Sequence, residues 1–307
     1  MIELKNVSKS FGEIAAVRDL SFEIPEGHIT IITGSDGAGK STIFKMMVGL
    51  VRRDNGNIFL KGEDIGHQYG KITDITGYMP ERFSLYRDLS VEENLNFFSD
   101  IHQVPYKKRE DRKQRLLEKT GMLPFKSRRA GALSGGMKQK LALSCILLSA
   151  PHFIIMDEPT TGVDPLSRIE FFNIIDELKA EGKTIVISTP YLDEAEQGDF
   201  IVFLKNGRII KKDSMKHLKE NFPARLFNIL PQGNIFDIIQ QLKTNEQLKD
   251  NIYIRGKYIK YLQHDKADRN LISLIPQIRV EEEKPKLEDI YIYYERRSTN
   301  ELLHQEP

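Results

Sequence analysis

Apolar and polar residues alternate over most of the first 32 positions, a pattern typical of β-strands that bury one face. The alternating apolar residues fall into three groups, and the segment Pro25–Gly27 is predicted to form a turn between the second and the third. We therefore predict several strands before residue 33. Their apolar positions are Ile2 and Leu4, then Leu20, Phe22 and Ile24, then Ile29, Ile31 and Ile32.

Strands and helices alternate in the rest of the first 220 residues, which predicts a parallel α/β sheet. A glycine-rich loop at 34–39 precedes a helix from Lys40 to about Leu50. The apolar run Phe153–Met156 is typical of a strand buried on both faces, and Thr184–Ser188 indicates another. A helix is predicted between them from the spacing of Leu166, Ile169, Phe172, Ile175 and Leu178.

The pattern changes after about residue 221, where Phe222-Pro223 marks a boundary. We predict a large domain over 1–221 and a small α+β domain over 222–307. Within the first, residues 83–135 are mostly polar and helical, and Asn206-Gly207 predicts a hairpin. The small domain has a helical pattern at Ile235–Leu242, a strand pair around Ile252–Leu262, a short helix near Leu271–Ile275 and a strand near Ile278–Val280.

Charge argues against a nucleic-acid partner. The 307 residues carry a net charge of only +1, so no global field attracts a polyanion. The basic run Lys107–Arg115 is interrupted by Glu110 and Asp111, and it is interpreted as a solvated helix face. The single cysteine, Cys145, lies in an apolar stretch, which predicts core packing and fits a reducing, cytosolic location.

Apolar segments are short throughout. The start, MIELKNVSKSF, lacks the apolar segment of a secretory signal, so none is expected. No apolar run approaches the ~18 residues that a membrane-spanning helix needs. If the protein acts on a membrane, we expect another chain to supply the spans.

The segment from Gly34 to Ser41 matches the phosphate-loop pattern G-x-x-x-x-G-K-[ST]. Glycines let backbone N–H groups point at phosphate oxygens, and the following helix N-terminus favours the same anion. Lys40 is expected to reach the β- and γ-phosphates, and the Ser41 hydroxyl to hold Mg²⁺. The predicted nucleotide-binding residues here are Gly34, Ser35, Asp36, Gly37, Ala38, Gly39, Lys40, Ser41 and Thr42.

Two carboxylates end the strand that starts at Phe153. Asp157 is expected to enter the coordination shell of Mg²⁺, and Glu158 to polarise the attacking water as a general base. An acidic strand end alone is common, but here it accompanies a phosphate loop. We therefore assign Lys40 and Glu158 catalytic roles, with ATP and Mg²⁺ as cofactors.

The segment Leu133–Met137, LSGGM, resembles the LSGGQ signature of ABC ATPases, with Met137 in place of glutamine. In that family the signature contacts the γ-phosphate held by the opposite subunit, a role that would fall to Ser134, Gly135 and Gly136. Phe11 is similar to the aromatic residue that stacks on adenine. The resemblance continues at Asp164, in the loop that communicates across the dimer, and over Ser188–Glu196, the stretch with the switch histidine.

This resemblance covers residues 1 to about 220 and is strongest to drug- and multidrug-exporter ATPases, especially the first of two fused modules. It implies a P-loop NTPase fold of the ABC type: a parallel-sheet core, an antiparallel β subdomain and a helical signature subdomain. The tail through Leu287–Tyr291 is similar to the small carboxy-terminal domain of that branch. The resemblance also implies ATP hydrolysis coupled to transport, with export favoured, through a separate integral membrane permease at the cytoplasmic face.

Two positions depart from the family pattern. The switch histidine is replaced by Pro190, which has no side-chain donor and no backbone N–H. The glutamine that binds Mg²⁺ is replaced by Glu81, which keeps an oxygen ligand, loses a donor and adds negative charge. Both fall in one nucleotide site, so we expect that site to hydrolyse ATP slowly. The signature would then serve a second, different ABC ATPase module, although a homodimer is also open.

The sequence is also compatible with two other functions. An ATP-dependent dimerisation or regulatory module with little turnover fits Pro190 and Glu81, whereas Glu158 argues against complete inactivity. A soluble ABC ATPase acting on DNA or ribosomes would usually carry a long coiled coil or two modules in one chain. The sequence shows neither feature. The transported substrate is not indicated by any motif.

Overall fold

The computed structural model describes residues 2–65, 75–82, 85–245, 248–264, 275 and 277–303. The chain divides into two compact units, Met1–Lys212 and Asp213–Pro307. The boundary predicted between 221 and 222 lies beyond this division, after the short helix Met215–Glu220. Each unit has its own sheets and its own apolar core.

The first strands of the chain form an antiparallel sheet of four strands in the order β2-β1-β4-β5. Strand β1 runs antiparallel to both β2 and β4. The predicted strands at Ile2–Leu4 and Leu20–Ile24 are confirmed, and both extend further than the alternation indicated. The strands are β1 Ile2–Phe11, β2 Ile14–Ile24, β4 Asn55–Leu60 and β5 Glu63–Asp64.

A second sheet of six strands forms the centre of the large unit, in the order β10-β9-β3-β8-β7-β6. Its interior strands are parallel, and every residue of β3, β7 and β8 is buried. This confirms the strands predicted from short apolar runs. The strands are β3 Ile29–Thr33, β6 Thr76–Met79, β7 Phe153–Asp157, β8 Thr184–Thr189, β9 Phe200–Lys205 and β10 Arg208–Ser214.

The turn between β9 and β10 confirms the predicted hairpin. Asn206 and Gly207 both have positive φ, 49° and 76°, as a two-residue type I′ turn requires. The Cβ of any other residue at 207 would come within 2.7 Å of the Ala16 carbonyl oxygen. Glycine at this position therefore permits the close approach of the Ala16 carbonyl as well as the turn.

Three helices of the large unit begin at side-chain caps. Ser90 and Glu93 form a capping box at α2, Ser134 caps α4, and Asp164 caps α5 with Pro165 as the first helical residue. The predicted helices at Lys40 and Leu166 are confirmed. The helices are α1 Lys40–Met47, α2 Val91–Ile101, α3 Tyr106–Lys119, α4 Gly135–Leu147, α5 Pro165–Ala180 and α6 Leu192–Ala195.

The predicted helical subdomain contains α2, α3 and the start of α4, which share an apolar cluster with Leu95, Leu117 and Leu141. Cys145 belongs to the same cluster, is fully buried, and has its thiol pKa raised by that burial. Core packing of this cysteine is therefore confirmed. None of the helices in the described ranges has the length and apolar character needed to cross a membrane.

Asn94 organises the chain that leads into α2. Its amide nitrogen donates to the carbonyl oxygens of Tyr86, Leu89 and Ser90, and its Oδ1 accepts from the Tyr86 N–H at 2.9 Å. Replacing Asn94 by alanine is expected to lower the free energy of unfolding by about 1–2 kcal/mol, because these buried groups lose their partner. Urea denaturation followed by circular dichroism measures the change. Gln114→Ala, at an exposed helix position, is the control and should change stability by less than about 0.5 kcal/mol.

The second unit contains a four-stranded sheet in the order β12-β13-β11-β14, with antiparallel neighbours. Alternate side chains of β11 contribute to two clusters: Phe227 and Ile229 to one with Ile238, and Leu226 to another with Tyr293. The elements are α7 Met215–Glu220, β11 Arg225–Pro231, α8 Ile235–Lys243, β12 Ile252–Arg255, β13 Tyr258–Gln263, β14 Gln277–Glu283 and α9 Leu287–Leu303.

Most elements predicted for the tail are present. The helix at Ile235, the strand pair around Ile252–Leu262 and the strand near Ile278–Val280 are confirmed. Strand β11 and helix α9 were missed, because their polar residues interrupt the apolar pattern. The short helix predicted near Leu271–Ile275 lies outside the described residues except for Ile275, which is buried.

Candidate nucleotide site

The central sheet positions the candidate site at the carboxyl ends of β3, β7 and β8. These three strands are parallel neighbours, so the segments that follow them leave the same edge of the sheet. The phosphate loop follows β3, the two carboxylates lie at the end of β7, and Pro190 follows β8. Residues far apart in sequence are thus brought to one edge.

Glycine is required by the geometry of the loop between β3 and α1. Gly37 and Gly39 have φ values of 77° and 105°, a region that other residues rarely adopt. A Cβ on Gly34 would lie 2.2 Å from the Leu204 carbonyl oxygen, and one on Gly39 would lie 2.4 Å from that of Ala16. Ala38 is buried, whereas Ser35, Asp36 and Gly37 are exposed. The loop therefore presents an open backbone to solvent.

Lys40 is the first residue of α1 and is almost fully buried, with 4% of its surface exposed. Its Nζ donates to the carbonyl oxygens of Gly34 at 2.9 Å and Ser35 at 3.2 Å. The same Nζ lies 3.2 Å from Glu158 Oε1. A buried ammonium group is thus held beside the loop by two carbonyls and one carboxylate, which fits a group that binds phosphate.

Asp157 and Glu158 are linked by Ser188, which pairs with Asp157 across β7 and β8. The Ser188 hydroxyl donates to Asp157 Oδ1 at 2.6 Å and accepts from the Glu158 N–H at 2.9 Å. Glu158 has a φ of 48°, uncommon for a residue other than glycine. The backbone thus turns sharply at Glu158, and the carboxylate of that residue meets Lys40 rather than continuing along the strand.

The residues present fit a magnesium ion. The Asp157 carboxylate is 2% exposed, and within the described part of the chain only the Ser188 hydroxyl hydrogen-bonds to it. A buried carboxylate with a single donor is poorly compensated, as expected of a cation ligand. No group of three or more histidine, cysteine or acidic side chains suited to a metal occurs among the described residues. Mg²⁺ needs no such cage, because it is usually held by one or two carboxylates together with phosphates and water.

Ser41 and Thr42 follow Lys40 in the first turn of α1 and are half-buried. Their position beside Lys40 places both hydroxyls at the phosphate-loop end of the helix. Ser41 is therefore available, together with Asp157, to hold a magnesium ion.

Glu81 is exposed, unlike the buried Asp157. It lines a cavity of about 420 Å³ together with Arg82, Arg87 and Lys138. Tyr78, three residues before it, has its pKa raised by burial and by the negative charges of Asp157 and Glu81. The negative charges of Glu81 and Asp157 thus act on the same tyrosine, and three cationic side chains line the cavity beside Glu81.

The segment around Pro190 is held by a buried carboxylate that the sequence analysis missed. Glu194 accepts hydrogen bonds from the hydroxyls of Thr160, at 2.7 Å, and Thr189, at 2.6 Å. Arg168 lies 3.4 Å from the same carboxylate and stacks over the Tyr191 ring at 4.4 Å. This cluster joins the chain after Glu158, the chain after β8 and helix α5. Its only sequence signal is the acidic run that follows Pro190.

The LSGGM segment forms the start of α4. The Ser134 hydroxyl caps the helix by accepting from the Met137 N–H at 3.3 Å, and Ser134 and Gly135 are exposed. Gly136 is buried against Ser167, where a Cβ would lie 2.4 Å from the serine Cβ. The segment thus exposes the N-terminus of α4 to solvent at Ser134 and Gly135, an arrangement that suits an anion.

Phe11, at the end of β1, leaves 51% of its surface exposed. Lys9 lies 5.3 Å from the centre of its ring. An exposed aromatic ring with an adjacent cation can stack on a planar base. Taken together, the phosphate loop, the buried lysine and the paired carboxylates at a parallel-sheet edge define a P-loop nucleoside triphosphatase.

The comparisons with known proteins identify the family. The ABC transporter family model matches residues 17–161. The chain is 37% identical over 298 residues to the Escherichia coli protein named probable multidrug ABC transporter ATP-binding protein YbhF, covering 95% of this chain and 51% of that protein. It is 31% identical over 294 residues to Nod factor export ATP-binding protein I of Rhizobium sp. (strain N33), covering 95% of both. This chain belongs to the ABC transporter family.

Solved structures agree with this assignment. An ATP binding subunit of an ABC transporter superposes with a TM-score of 0.65 at 30% identity, over 72% of this chain and 93% of that one. A dimeric bacterial ABC transporter cassette gives 0.64 at 26% identity, over 70% and 99%. The ABC-type ATPase fold is therefore confirmed. The chain spans about half the length of YbhF, of which it matches 51%.

Proposed function

We propose that this chain is the ATP-binding subunit of an ABC exporter. In this proposal it couples ATP binding and hydrolysis to a separate integral membrane permease at the cytoplasmic face of the cell membrane. The observation that carries the proposal is the contact of Lys40 with Glu158 at 3.2 Å, beside the phosphate loop and Asp157. The names of two relatives, a multidrug transporter protein and a Nod factor export protein, favour export.

In the proposed site each residue has a role that its position supports. The loop Gly34–Gly39 and the Lys40 ammonium bind the phosphates, and Phe11 stacks on the adenine. Ser41 and Asp157 hold Mg²⁺, with Glu81 as a further oxygen ligand. Glu158 accepts a proton from the attacking water, since its carboxylate is directed into the site by the left-handed backbone at that residue. Mg²⁺, when bound, supplies charge neutralisation of the phosphates.

The site of this chain is proposed to turn over slowly. Pro190 follows directly after β8 and next to Thr189, where the family places a histidine donor. No side-chain hydrogen bond is available from proline, so the γ-phosphate loses a partner there. A partner with a competent site would then account for most of the hydrolysis.

The partner is proposed to be a second ABC ATPase module. Ser134 and Gly135 are exposed at the N-terminus of α4, where they can face a nucleotide held by another chain. One of the similar solved structures is a dimeric cassette, which supports pairing through this fold. In a heterodimer, the LSGGM segment of this chain would complete the competent site of the partner.

A dimerisation switch with little turnover is the second candidate, and Pro190 is the observation that favours it. The two candidates share ATP binding and differ in whether any hydrolysis accompanies it. Glu158 is present and in contact with Lys40, which favours residual hydrolysis over none.

The test is to measure equilibrium binding of ATP with Mg²⁺ and steady-state hydrolysis on the purified chain alone. We expect saturable binding with turnover below about 0.1 s⁻¹, against roughly 1 s⁻¹ or more for a typical enzyme. Glu158→Gln should remove the residual hydrolysis and keep the binding. Absence of binding would overturn the proposal, and turnover at typical enzyme rates would overturn the slow site and favour a homodimer. Residual hydrolysis unaffected by Glu158→Gln would leave the dimerisation switch as the better candidate.

A further inference from the structure

We propose that Ser188 is a positioning residue that sets the orientation of both Asp157 and Glu158. The inference rests on the proposed function, because it assigns Ser188 to the same ATP site. Ser188 is fully buried at the carboxyl end of β8, one residue before Thr189 and two before Pro190. Nothing in the phosphate-loop or carboxylate motifs points to it.

The Ser188 hydroxyl forms hydrogen bonds with both Asp157 and Glu158. Its single hydrogen is donated to Asp157 Oδ1 at 2.6 Å, and its oxygen accepts from the Glu158 N–H at 2.9 Å. A hydroxyl is the smallest side-chain group that can do both at once. An alanine, valine or isoleucine in this buried strand would leave both groups without that partner.

For Asp157, the consequence is a fixed carboxylate. With Oδ1 engaged by Ser188, Oδ2 is the oxygen left for a metal ion, and rotation of the carboxylate is restrained. Hydrogen bonds to the ligands of a metal usually orient those ligands, and removing such a bond typically costs about 10- to 100-fold in metal affinity or activity. We expect Ser188 to act on Mg²⁺ affinity in this way.

For Glu158, the consequence concerns the backbone. The left-handed conformation at this residue, with φ of 48°, is unfavourable for a residue other than glycine and must be held by its surroundings. The Glu158 N–H bonds to the Ser188 hydroxyl and also approaches the Ser188 carbonyl oxygen at 3.1 Å. Ser188 thus fixes the turn that directs the Glu158 carboxylate to Lys40.

The experiment compares Ser188→Ala with the unsubstituted full-length chain. Affinity for a fluorescent ATP analogue is measured with excess Mg²⁺ and again with EDTA. We expect the ratio of the two affinities to fall about 10-fold or more in Ser188→Ala, with the EDTA value unchanged. This readout does not depend on hydrolysis, and a serine with a merely structural role would lower both affinities together or neither.

A matched control is Thr30→Val, since Thr30 is a buried residue of the adjacent strand β3 whose hydroxyl has no hydrogen-bond partner among the described residues. That variant should leave the ratio unchanged. If Ser188→Ala does not fold, Ser188→Cys is used instead, because a thiol has a similar shape and is a weaker donor. The ratio of the two affinities should fall in that variant as well. An unchanged ratio in the folded variant would overturn the inference and leave the proposed function intact. Failure of the unsubstituted chain to bind the analogue would overturn both.

Discussion

Replacing Lys40 by alanine is expected to weaken ATP binding by roughly 100-fold or more. Hydrogen bonds to a charged group contribute about 1.5–3 kcal/mol each, and in the proposed site Lys40 makes them to two phosphates. The loss corresponds to about 3 kcal/mol or more, which is a factor of roughly 100 in the dissociation constant. Titration of a fluorescent ATP analogue into the purified chain measures it directly.

The same helix supplies a control for this prediction. Lys45→Ala removes the same charge from an exposed position of α1 and should change affinity by less than about 3-fold. Because Lys40 also donates to the Gly34 and Ser35 carbonyls, its removal can loosen the loop. Thermal unfolding of both variants therefore accompanies the titration. Equal affinity of a folded Lys40→Ala variant and the unsubstituted chain would exclude the phosphate role of Lys40.

Local sequence was enough to predict the phosphate loop, because its glycines, lysine and serine lie within eight consecutive positions, Gly34–Ser41. The flanking strand and helix were equally clear, since three isoleucines mark β3 and the helix α1 begins at the last residues of the loop. The structure adds the reason that Gly34 and Gly39 must be glycine. Those positions approach the backbone of Leu204 and Ala16, contacts that come from the tertiary fold and leave no mark in the local sequence.

The linkage through Ser188 could not be predicted, because it depends on the register of two parallel strands. Asp157 faces Ser188 only because β7 and β8 pair with that alignment. The two residues are separated by 31 positions and a complete helix. The same reason applies to Glu194, whose two threonine partners are Thr160, in the turn after β7, and Thr189, at the end of β8. A single sequence indicates the strands, whereas their register is decided by packing.

In the carboxy-terminal unit, apolar periodicity failed to predict strand β11. Strand β11 includes the apolar residues Leu226, Phe227 and Ile229, but Asn228 interrupts the apolar run. In the structure the Asn228 amide donates to Glu283 of the neighbouring strand β14. A polar residue satisfied by a cross-strand partner does not break a strand, yet the partner is 55 positions away. Apolar periodicity alone therefore underestimates such elements.

Replacing Pro190 by histidine is expected to raise the hydrolysis rate of the chain by roughly 10- to 150-fold. A hydrogen bond from a charged or strongly polarised donor to the γ-phosphate is worth about 1.5–3 kcal/mol, and proline cannot supply one. If the bond is made in the transition state, that energy converts directly into rate. Steady-state release of inorganic phosphate measures the change, and analogue binding should vary by less than about 3-fold.

The surroundings of Pro190 allow this replacement without loss of the local fold. Thr189 is fixed by Glu194 at 2.6 Å, and the Tyr191 N–H donates to the Thr189 hydroxyl at 3.1 Å, so the segment is held on both sides of the proline. These bonds do not involve the proline ring.

Pro190→Ala is the control, since it removes the ring and adds no donor. It therefore separates the effect of removing the ring from the effect of adding a hydrogen-bond donor. A rate increase in Pro190→Ala equal to that in Pro190→His would show that ring removal is responsible. No increase in either variant would place the cause of slow turnover elsewhere, with Glu81→Gln as the next substitution, because Glu81 is the other departure from the family pattern in the same site.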